Sequence, residues 1–153
     1  LKMFSYQMAA NGLFREFVLS IDLDVVITGD ITPLINFDYD FIISRVAVRG
    51  QPYNGSFWML RLGSRPQVWE RFPGHSLDLC NLGFLGSDQA WVAYVLGPGE
   101  KTVGPEESVY GYRMHVKGKG LPKDARLVTF QGVDDPWHSR VLRTDGWIHR
   151  YRR

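Results

Sequence analysis

The hydrophobic pattern of this chain consists of short apolar runs separated by turn-forming residues. Predominantly apolar segments predict strands, and they lie at residues 17–21, 25–28, 41–44, 55–62 and 127–130. The first run, FVLSI, does not alternate with charged positions, which predicts a strand covered on both faces of a sheet. Residues 110–116 mix polar and apolar positions and predict an exposed strand.

Three segments predict short helices between these strands. Apolar positions near helical spacing place them at residues 2–10, 65–72 and 90–96, which end before Asn11-Gly12, Pro73-Gly74 and Gly97-Pro98-Gly99. Ser87 or Asp88 precedes the third helix and is a suitable N-cap. Strands that alternate with short helices, without an internal repeat or linker, predict one α/β domain spanning residues 1–153.

Composition and charge exclude several classes of protein. Hydrophobic residues make up 44% of the 153 residues, which is enough to bury a core. The formal net charge is only +2, so the sequence predicts no nucleic-acid partner. Arginines crowd residues 140–153, and we interpret this stretch as a solvated or frayed C-terminal segment.

Cysteine usage and hydropathy bear on the compartment. The lone cysteine, Cys80, cannot form an internal disulfide, and no apolar stretch approaches the length of a membrane span. With no signal peptide visible, the cytoplasm is the expected location. The chain begins at Leu1 without an initiator methionine, and we expect an upstream portion of the domain to be missing.

An Asp-x-Asp pair follows the first predicted strand. Asp22 and Asp24 leave the carboxyl end of residues 17–21, the end at which α/β sheets bind ligands. Two carboxylates one residue apart can share a hard cation such as Mg²⁺ or Mn²⁺, which can hold a diphosphate; an Asx turn is the alternative. Asp38 and Asp40 form a second such pair, but they precede a predicted strand and are assigned to a turn at the opposite edge.

One family with an Asp-x-Asp pair after an apolar strand is the haloacid-dehalogenase-like phosphatases. In that family the first aspartate is the nucleophile and the second the acid/base, and Ser44, the lysines of residues 117–123 and Asp134-Asp135 match its later motifs. Those enzymes usually follow the pair with a loop and a small polar residue. Here the apolar segment VVIT follows directly.

A second family accounts for more of the chain. The segment SIDLDVVITGDITPLI resembles the D-x-D region of GT-A-type glycosyltransferases, especially glycosyltransferase family 8. Further segments resemble that family in the same order: LKMF, FIISRVAV, YNGSFWMLRLGS, GSDQAWVAYVL and LPKDARLVTFQGVDDPWH. The resemblance implies an α/β fold of the GT-A type, a Rossmann-like mixed sheet flanked by helices, that lacks the N-terminal part of the domain.

The resemblance implies a metal site at the Asp-x-Asp pair. Asp24 would bind Mn²⁺ or Mg²⁺ together with the diphosphate of the donor, and Asp22 would contact the metal or the ribose. The closing segment of the family supplies a histidine ligand, and Gln131 stands in its place in this chain. Asp135 likewise replaces a residue that is usually basic. An amide oxygen can still bind a hard cation.

The resemblance also implies a set of sugar-binding residues. Asn54 and Ser56 would contact the donor sugar or the acceptor. Asp88 and Gln89 would lie against the transferred sugar as catalytic residues, where a carboxylate can stabilise an oxocarbenium ion. Independently of the family, the loop position of Trp137 after a proline makes it a candidate for stacking on a sugar ring.

Together these patterns predict a metal-dependent glycosyltransferase with a nucleotide-sugar donor and a carbohydrate or glycoconjugate acceptor. The alternatives are a phosphatase of the dehalogenase type and a non-catalytic carbohydrate-binding remnant. The donor sugar, the nucleotide, the acceptor and the stereochemical outcome are all left open. Because the family binds the nucleotide mostly upstream of D-x-D, this chain by itself is expected to hold the metal and acceptor half of a site.

Overall fold

The strands of this chain form two β-sheets in the computed structural model, which describes residues 2–5, 7, 16–45, 52–72 and 87–151. Within those residues the strands are β1 (Phe17–Ile21), β2 (Val25–Ile27), β3 (Phe41–Ser44), β4 (Asn54–Arg61), β5 (Lys101–Val103), β6 (Val109–Gly111) and β7 (Leu127–Thr129). The larger sheet has the order β1-β4-β3-β5 and the smaller one β2-β7-β6. The architecture is therefore mixed α/β.

The strand directions of the larger sheet bring several predicted site residues to one edge. Both β1 and β3 run antiparallel to β4, which lies between them, and β5 runs parallel to β3. Ile21 at the end of β1 pairs with Phe57, and Ser44 at the end of β3 pairs with Asn54. The carboxyl ends of β1 and β3 therefore meet the amino end of β4.

The Asp-x-Asp pair lies where the chain crosses from the larger sheet to the smaller. A tight turn joins β1 to β2, and the Val25 N–H donates to the Asp22 carbonyl oxygen at 3.1 Å. Strand β2 then pairs antiparallel with β7, with Val25 opposite Thr129, and β7 pairs parallel with β6. The turn is thus fixed by a sheet on each side.

Short helices cover the sheets. The α-helices of the described ranges are α1 (Gln67–Glu70), α2 (Asp88–Leu96) and α3 (Ser139–Thr144). Short 3₁₀-helices lie at Lys2–Phe4, Thr32–Leu34, Pro105–Glu107 and Gly146–Arg150, and Tyr112–Val116 forms one turn of π-helix. Among the residues that the structure describes, no helix has the length and apolarity needed to cross a membrane.

Buried apolar side chains pack on both faces of the larger sheet and beneath the smaller one. On one face, Trp91 of α2 packs with Tyr53 and Leu60, and its indole N–H donates to the Val68 carbonyl oxygen at 2.8 Å. On the other, Phe57 and Met59 pack with Leu127 of β7. These contacts hold the two sheets and α2 in fixed relative positions, which a preformed site requires.

Most of the predicted elements are confirmed. Strands occur within or across the predicted segments 17–21, 25–28, 41–44, 55–62 and 127–130. Helices α1 and α2 lie where the second and third helices were predicted, and Ser87 is the N-cap residue of α2. Of the first predicted helix, only Lys2–Phe4 is described as a turn of 3₁₀-helix, and the stop at Pro73-Gly74 lies outside the described residues.

Three predictions about exposure are wrong. Strand β1 is only partly buried, with Leu19 37% exposed, because it is an edge strand of the described sheet. Residues 110–116 are not an exposed strand, since the strand ends at Gly111 and the π-helical turn buries Tyr112 and Val116. The interpretation of residues 140–153 as frayed is wrong for the described residues up to 151, where Val141 and Ile148 are each 1% exposed.

Candidate functional site

The D-x-D turn is held against the strand that carries Asn54 and Ser56. The backbone N–H of Asp22 donates to the Ser56 carbonyl oxygen at 3.0 Å, which extends the β1–β4 pairing by one bond past Ile21. The Asp22 side chain is exposed and that of Asp24 is half-buried. Leu23, between them, is 95% exposed. The turn therefore presents its side chains at the surface while its backbone is fixed.

The carboxylates of this turn interact with two more aspartates. Partial burial raises the pKa of Asp22 above its ordinary value, and the charges of Asp24 and Asp88 raise it further. Partial burial also raises the pKa of Asp24; a backbone hydrogen bond opposes this, and the charge of Asp135 adds to the increase. Because such interactions weaken with distance, these aspartates share one electronegative region.

Asn54 and Ser56 occupy the beginning of β4, next to the D-x-D turn. They are 3% and 5% exposed, and the Asn54 Oδ1 accepts a hydrogen bond from the Ser56 N–H at 2.8 Å. The side-chain oxygen of Asn54 thus stabilises the backbone that in turn binds Asp22. In this conformation the Asn54 side chain is buried and stabilises the backbone next to the D-x-D turn, and it does not project into solvent.

Asp88 and Gln89 begin helix α2 beside the same strand. The Gln89 Oε1 accepts from the Gly55 N–H at 2.8 Å, and the Asp88 Oδ1 accepts from the Gln89 N–H at 2.8 Å. A cavity of about 30 Å³, lined in part by Gly55, Asp88 and Gln89, lies between the helix and the strand. It has about the volume of one water molecule, so a sugar at this edge would lie outside it.

The closing loop, residues 131–137, faces the D-x-D turn. Gln131 and Asp134 form an isolated antiparallel bridge, so that the loop turns back on itself. Asp134 is 1% exposed and accepts hydrogen bonds from three cationic side chains: Arg113 at 2.8 Å, Lys117 at 2.9 Å and Arg140 at 3.0 Å. These bonds anchor the loop to the rest of the protein. The next residue, Asp135, is close enough to the D-x-D turn for its charge to raise the pKa of Asp24.

The cationic partners lower the pKa of Asp134. The hydrogen bond from Lys117 has the largest effect, burial opposes it, and Arg113 and Arg140 add to the decrease, so that the pKa falls to about 2. Asp134 is therefore an ionised, fully paired carboxylate at neutral pH. It is a structural group, in contrast to the mutually repelling carboxylates of the D-x-D turn.

A second, larger cavity of about 320 Å³ opens between the D-x-D turn and the closing loop. Leu23 and strand β2 form one wall, Pro136 and Trp137 another, and Ile148 and Tyr151 a third. Trp137, predicted as a sugar-stacking residue, is 50% exposed at this cavity. The structure thus brings Trp137 to the D-x-D region, more than a hundred residues away in sequence.

Comparisons with known proteins settle the fold. Neither a protein-family model nor a curated protein sequence matches the chain. Among solved structures, the galactosyltransferase LgtC, in complex with donor and acceptor sugar analogues, aligns with a TM-score of 0.60 at 16% identity. That alignment covers 95% of this chain and 64% of LgtC. This chain has a partial GT-A fold.

A second glycosyltransferase structure supports the same fold. The apo form of GlyE from Streptococcus pneumoniae TIGR4 aligns with a TM-score of 0.57 at 15% identity, over 88% of this chain and 38% of GlyE. The chain thus spans well under two thirds of GlyE and slightly under two thirds of LgtC. The predicted fold class is confirmed.

The GT-A fold argues against the phosphatase interpretation, and the local contacts agree. That interpretation needed Ser44 and Asp134 to take part in chemistry. Ser44 is completely buried, and Asp134 is bound by three cations behind the loop. The second Asp-x-Asp pair lies at the opposite edge, as expected, where the Asp40 Oδ1 accepts from the Arg61 Nε at 2.6 Å.

The residues at the D-x-D turn fit a cation that takes most of its ligands from a bound phosphate and from water. No group of three or more His, Cys, Asp or Glu side chains among the described residues is arranged to enclose a metal. Mg²⁺ bound with a substrate phosphate needs only one or two protein carboxylates and keeps its remaining positions for phosphate and water. Asp22 and Asp24, whose charges repel each other, provide that number.

Sequence reasoning missed one residue of this site. Asp135 was noted as a match to a phosphatase motif and as a replacement for a basic residue, but not as a neighbour of the D-x-D turn, and its charge acts on Asp24. Gln131, predicted as a metal ligand, lies in the same loop, half-buried at the bridge to Asp134. A carboxylate two residues before Trp137 carried no recognisable signal, because its partner is distant in sequence.

Proposed function

We propose that this chain is the metal- and acceptor-binding part of a glycosyltransferase. It would transfer a sugar from a nucleotide-sugar donor to a carbohydrate or glycoconjugate acceptor. The observation that carries the proposal is that the D-x-D turn and the first turn of α2 meet at the amino end of β4, where the Asp22 N–H donates to the Ser56 carbonyl oxygen and the Gly55 N–H donates to the Gln89 Oε1. Burial, and then the charges of Asp24 and Asp88, raise the pKa of Asp22 there. Since these are the residues that the family resemblance assigns to metal and sugar, their meeting is the arrangement that glycosyl transfer requires.

In this proposal Asp22 and Asp24 hold Mn²⁺ or Mg²⁺, with Gln131 as a further candidate ligand. The cation supplies the positive charge that stabilises the departing diphosphate. Partial burial is the main cause of the raised pKa of Asp22 and of Asp24, and neighbouring carboxylates add to it; a cation would relieve that added repulsion. The metal-binding role proposed for these residues is consistent with that electrostatic environment.

Asp88 and Gln89 are proposed to act on the sugar. The Asp88 carboxylate lies on the same electronegative edge as Asp22, where it would stabilise positive charge that develops at the anomeric carbon. Gln89 fixes the beginning of α2 against β4 through its bond to Gly55. Asn54 and Ser56, both buried, hold the strand to which the D-x-D turn is bonded.

Metal binding tests the proposal directly. Mn²⁺ titrated into the isotope-labelled chain should broaden NMR signals of the turn at residues 22–24 and of the first turn of α2. Asp24→Ala should abolish this broadening, and Asp38→Ala, in the second Asp-x-Asp pair, should leave it intact. Nucleotide-sugar binding should then depend on Mn²⁺. Sugar affinity that is the same with and without the metal would favour a non-catalytic carbohydrate-binding domain instead.

A further inference from the structure

The cavity of about 320 Å³ beside the D-x-D turn has the properties of a ligand site. Small-molecule sites span roughly 300–1,000 Å³ and are lined mainly by apolar and aromatic side chains with few polar groups. The described residues that line this cavity come from three separate parts of the chain: Leu23 with β2, Pro136 with Trp137, and Ile148 with Tyr151. Its shape therefore exists only in the folded protein.

Four of the side chains that line this cavity are exposed apolar or aromatic groups. Leu23 is 95% exposed, Trp137 50%, Ile27 47% and Tyr151 40%. Single exposed apolar side chains are common, but several that line one concavity mark a site of interaction. Contact with water is unfavourable for all of them. An apolar occupant would remove that contact.

The chemistry of the walls selects the occupant. Apart from the Tyr151 phenol, none of the side chains that line the cavity is ionisable, and their polar atoms are confined to that hydroxyl and the Trp137 indole N–H. A phosphate would lose its hydration there without a cationic partner. A peptide segment could pair its backbone only with β2, a three-residue strand at an edge of the described smaller sheet, so most of its N–H and C=O groups would lose their hydrogen bonds to water. A hydrocarbon or aryl group has no hydrogen bonds with water to lose.

The position of the cavity connects it to glycosyl transfer. Leu23 lies between the two carboxylates of the D-x-D turn, and Pro136 follows Asp135, whose charge acts on Asp24. The cavity therefore shares two of its walls with the proposed metal site. A group bound in it would be attached to a molecule that reaches the reacting sugar.

We propose that this cavity binds an alkyl or aryl group joined to the acceptor sugar, so that the acceptor is an amphipathic glycoside rather than a free saccharide. The assignment of this molecule as the acceptor rests on the proposed function. The preference of the cavity for an apolar group rests only on its walls, so the two can be tested separately.

A pair of glucosides that differ only in the apolar group tests the preference. Octyl β-D-glucoside, below its micelle concentration, and methyl β-D-glucoside would each be titrated into the full chain and followed by methyl NMR. The octyl compound should shift the methyl signals of Leu23, Ile27 and Ile148, and the methyl compound should not. Val133, in the same closing loop and 69% exposed but outside the cavity, supplies the internal control.

Two matched variants complete the test. Leu23→Ser should weaken binding of the octyl glucoside by about tenfold or more, and Val133→Ser should leave it unchanged. Leu23 is so exposed that its replacement removes no core contact, and thermal melts would confirm that both variants fold. Equal shifts with the two glucosides, no shift at the cavity, or unchanged binding in Leu23→Ser would each overturn the inference.

The Mn²⁺ titration, run on the same samples, separates the two hypotheses. Metal binding at residues 22–24 with no octyl effect would reject the acceptor cavity and leave the glycosyltransferase proposal standing. An octyl effect without metal binding would support the cavity as an apolar ligand site and reject the metal-dependent reaction.

Discussion

The backbone N–H of Gly55 donates a hydrogen bond to the Gln89 Oε1 at 2.8 Å. This contact joins the amino end of β4 to the first turn of α2, two segments that the sequence assigned to the sugar site separately. A Cβ added at Gly55 would lie 3.5 Å from the Gln89 Cβ, an ordinary van der Waals distance. The two elements are therefore in direct contact at the site.

This bond predicts different effects for two substitutions of Gln89. Gln89→Leu removes the acceptor and leaves the Gly55 N–H without its partner, so the free energy of unfolding should fall by about 1 kcal/mol or slightly more. Gln89→Glu keeps an acceptor oxygen and should lose less, although it adds a negative charge beside Asp88. Urea unfolding of the three proteins measures the difference, and equal losses would show that the bond contributes nothing.

Because the carboxylates at the D-x-D turn are partly buried and repel one another, we predict that removing one of them stabilises the protein when no metal is added. The pKa of Asp22 is raised by partial burial and by the charges of Asp24 and Asp88, so its ionised form is disfavoured in the folded state at neutral pH. Asp22→Asn should raise the Tm of the metal-free protein by on the order of 1–3 °C. The same variant should bind Mn²⁺ more weakly.

Asp38→Asn is the matched control for this effect. Asp38 belongs to the other Asp-x-Asp pair, is exposed, and lies in a turn at the opposite edge of the sheet. Its replacement should change neither the Tm nor the Mn²⁺ affinity. If both variants shifted the Tm by the same amount, net charge rather than local repulsion would be the cause.

The cationic cluster at Asp134 predicts a pH-dependent contribution to stability. The hydrogen bond from Lys117, followed by those from Arg113 and Arg140, lowers the pKa of Asp134 from 3.8 to about 2 against the effect of burial. A carboxylate with a lowered pKa binds fewer protons in the folded state. Its contribution is thus complete above the unfolded pKa and is lost as the pH falls through the window from 3.8 to about 2.

Asp134→Asn isolates this contribution. At neutral pH the variant should lose about 2 kcal/mol, since charge-assisted hydrogen bonds are replaced by neutral ones. Between pH 4 and pH 2, roughly, its stability should fall less steeply than that of the unmodified chain. Parallel stability curves for the two proteins in that window would contradict the assignment.

The last two helical segments, α3 and Gly146–Arg150, contribute buried side chains to the core. Ile148 is 1% exposed beneath the smaller sheet, where it packs with Val141 and Phe130. Ile148→Ala should therefore cost about 3 kcal/mol in unfolding free energy. Arg143→Ala, at an exposed position of α3, should stay within about 0.5 kcal/mol. Similar small effects for both would restore the interpretation of a frayed segment.

Elements with a strong local signal could be predicted from the sequence. FIIS is apolar at three of its four positions and forms β3, and the run from Ala90 to Leu96, bounded by Ser87 and Gly97, forms most of α2. Strand β5 and helix α3 were missed because their sequences, KTV and SRVLRT, are short and rich in polar residues. They are held by pairing with β3 and by packing under β7, and neither is visible locally.

The position of the D-x-D pair at the end of a strand, the family resemblance and the names of most site residues came from the sequence by itself, because chain order and residue chemistry are local properties. Only the tertiary structure decided how these residues meet. Antiparallel pairing of β1 with β4 brings Asp22 to Ser56, and the return of the closing loop brings Asp135 to Asp24 and Trp137 to Leu23. Such contacts depend on strand register and on sheet packing, which form between segments that are distant in sequence and leave no pattern within either one.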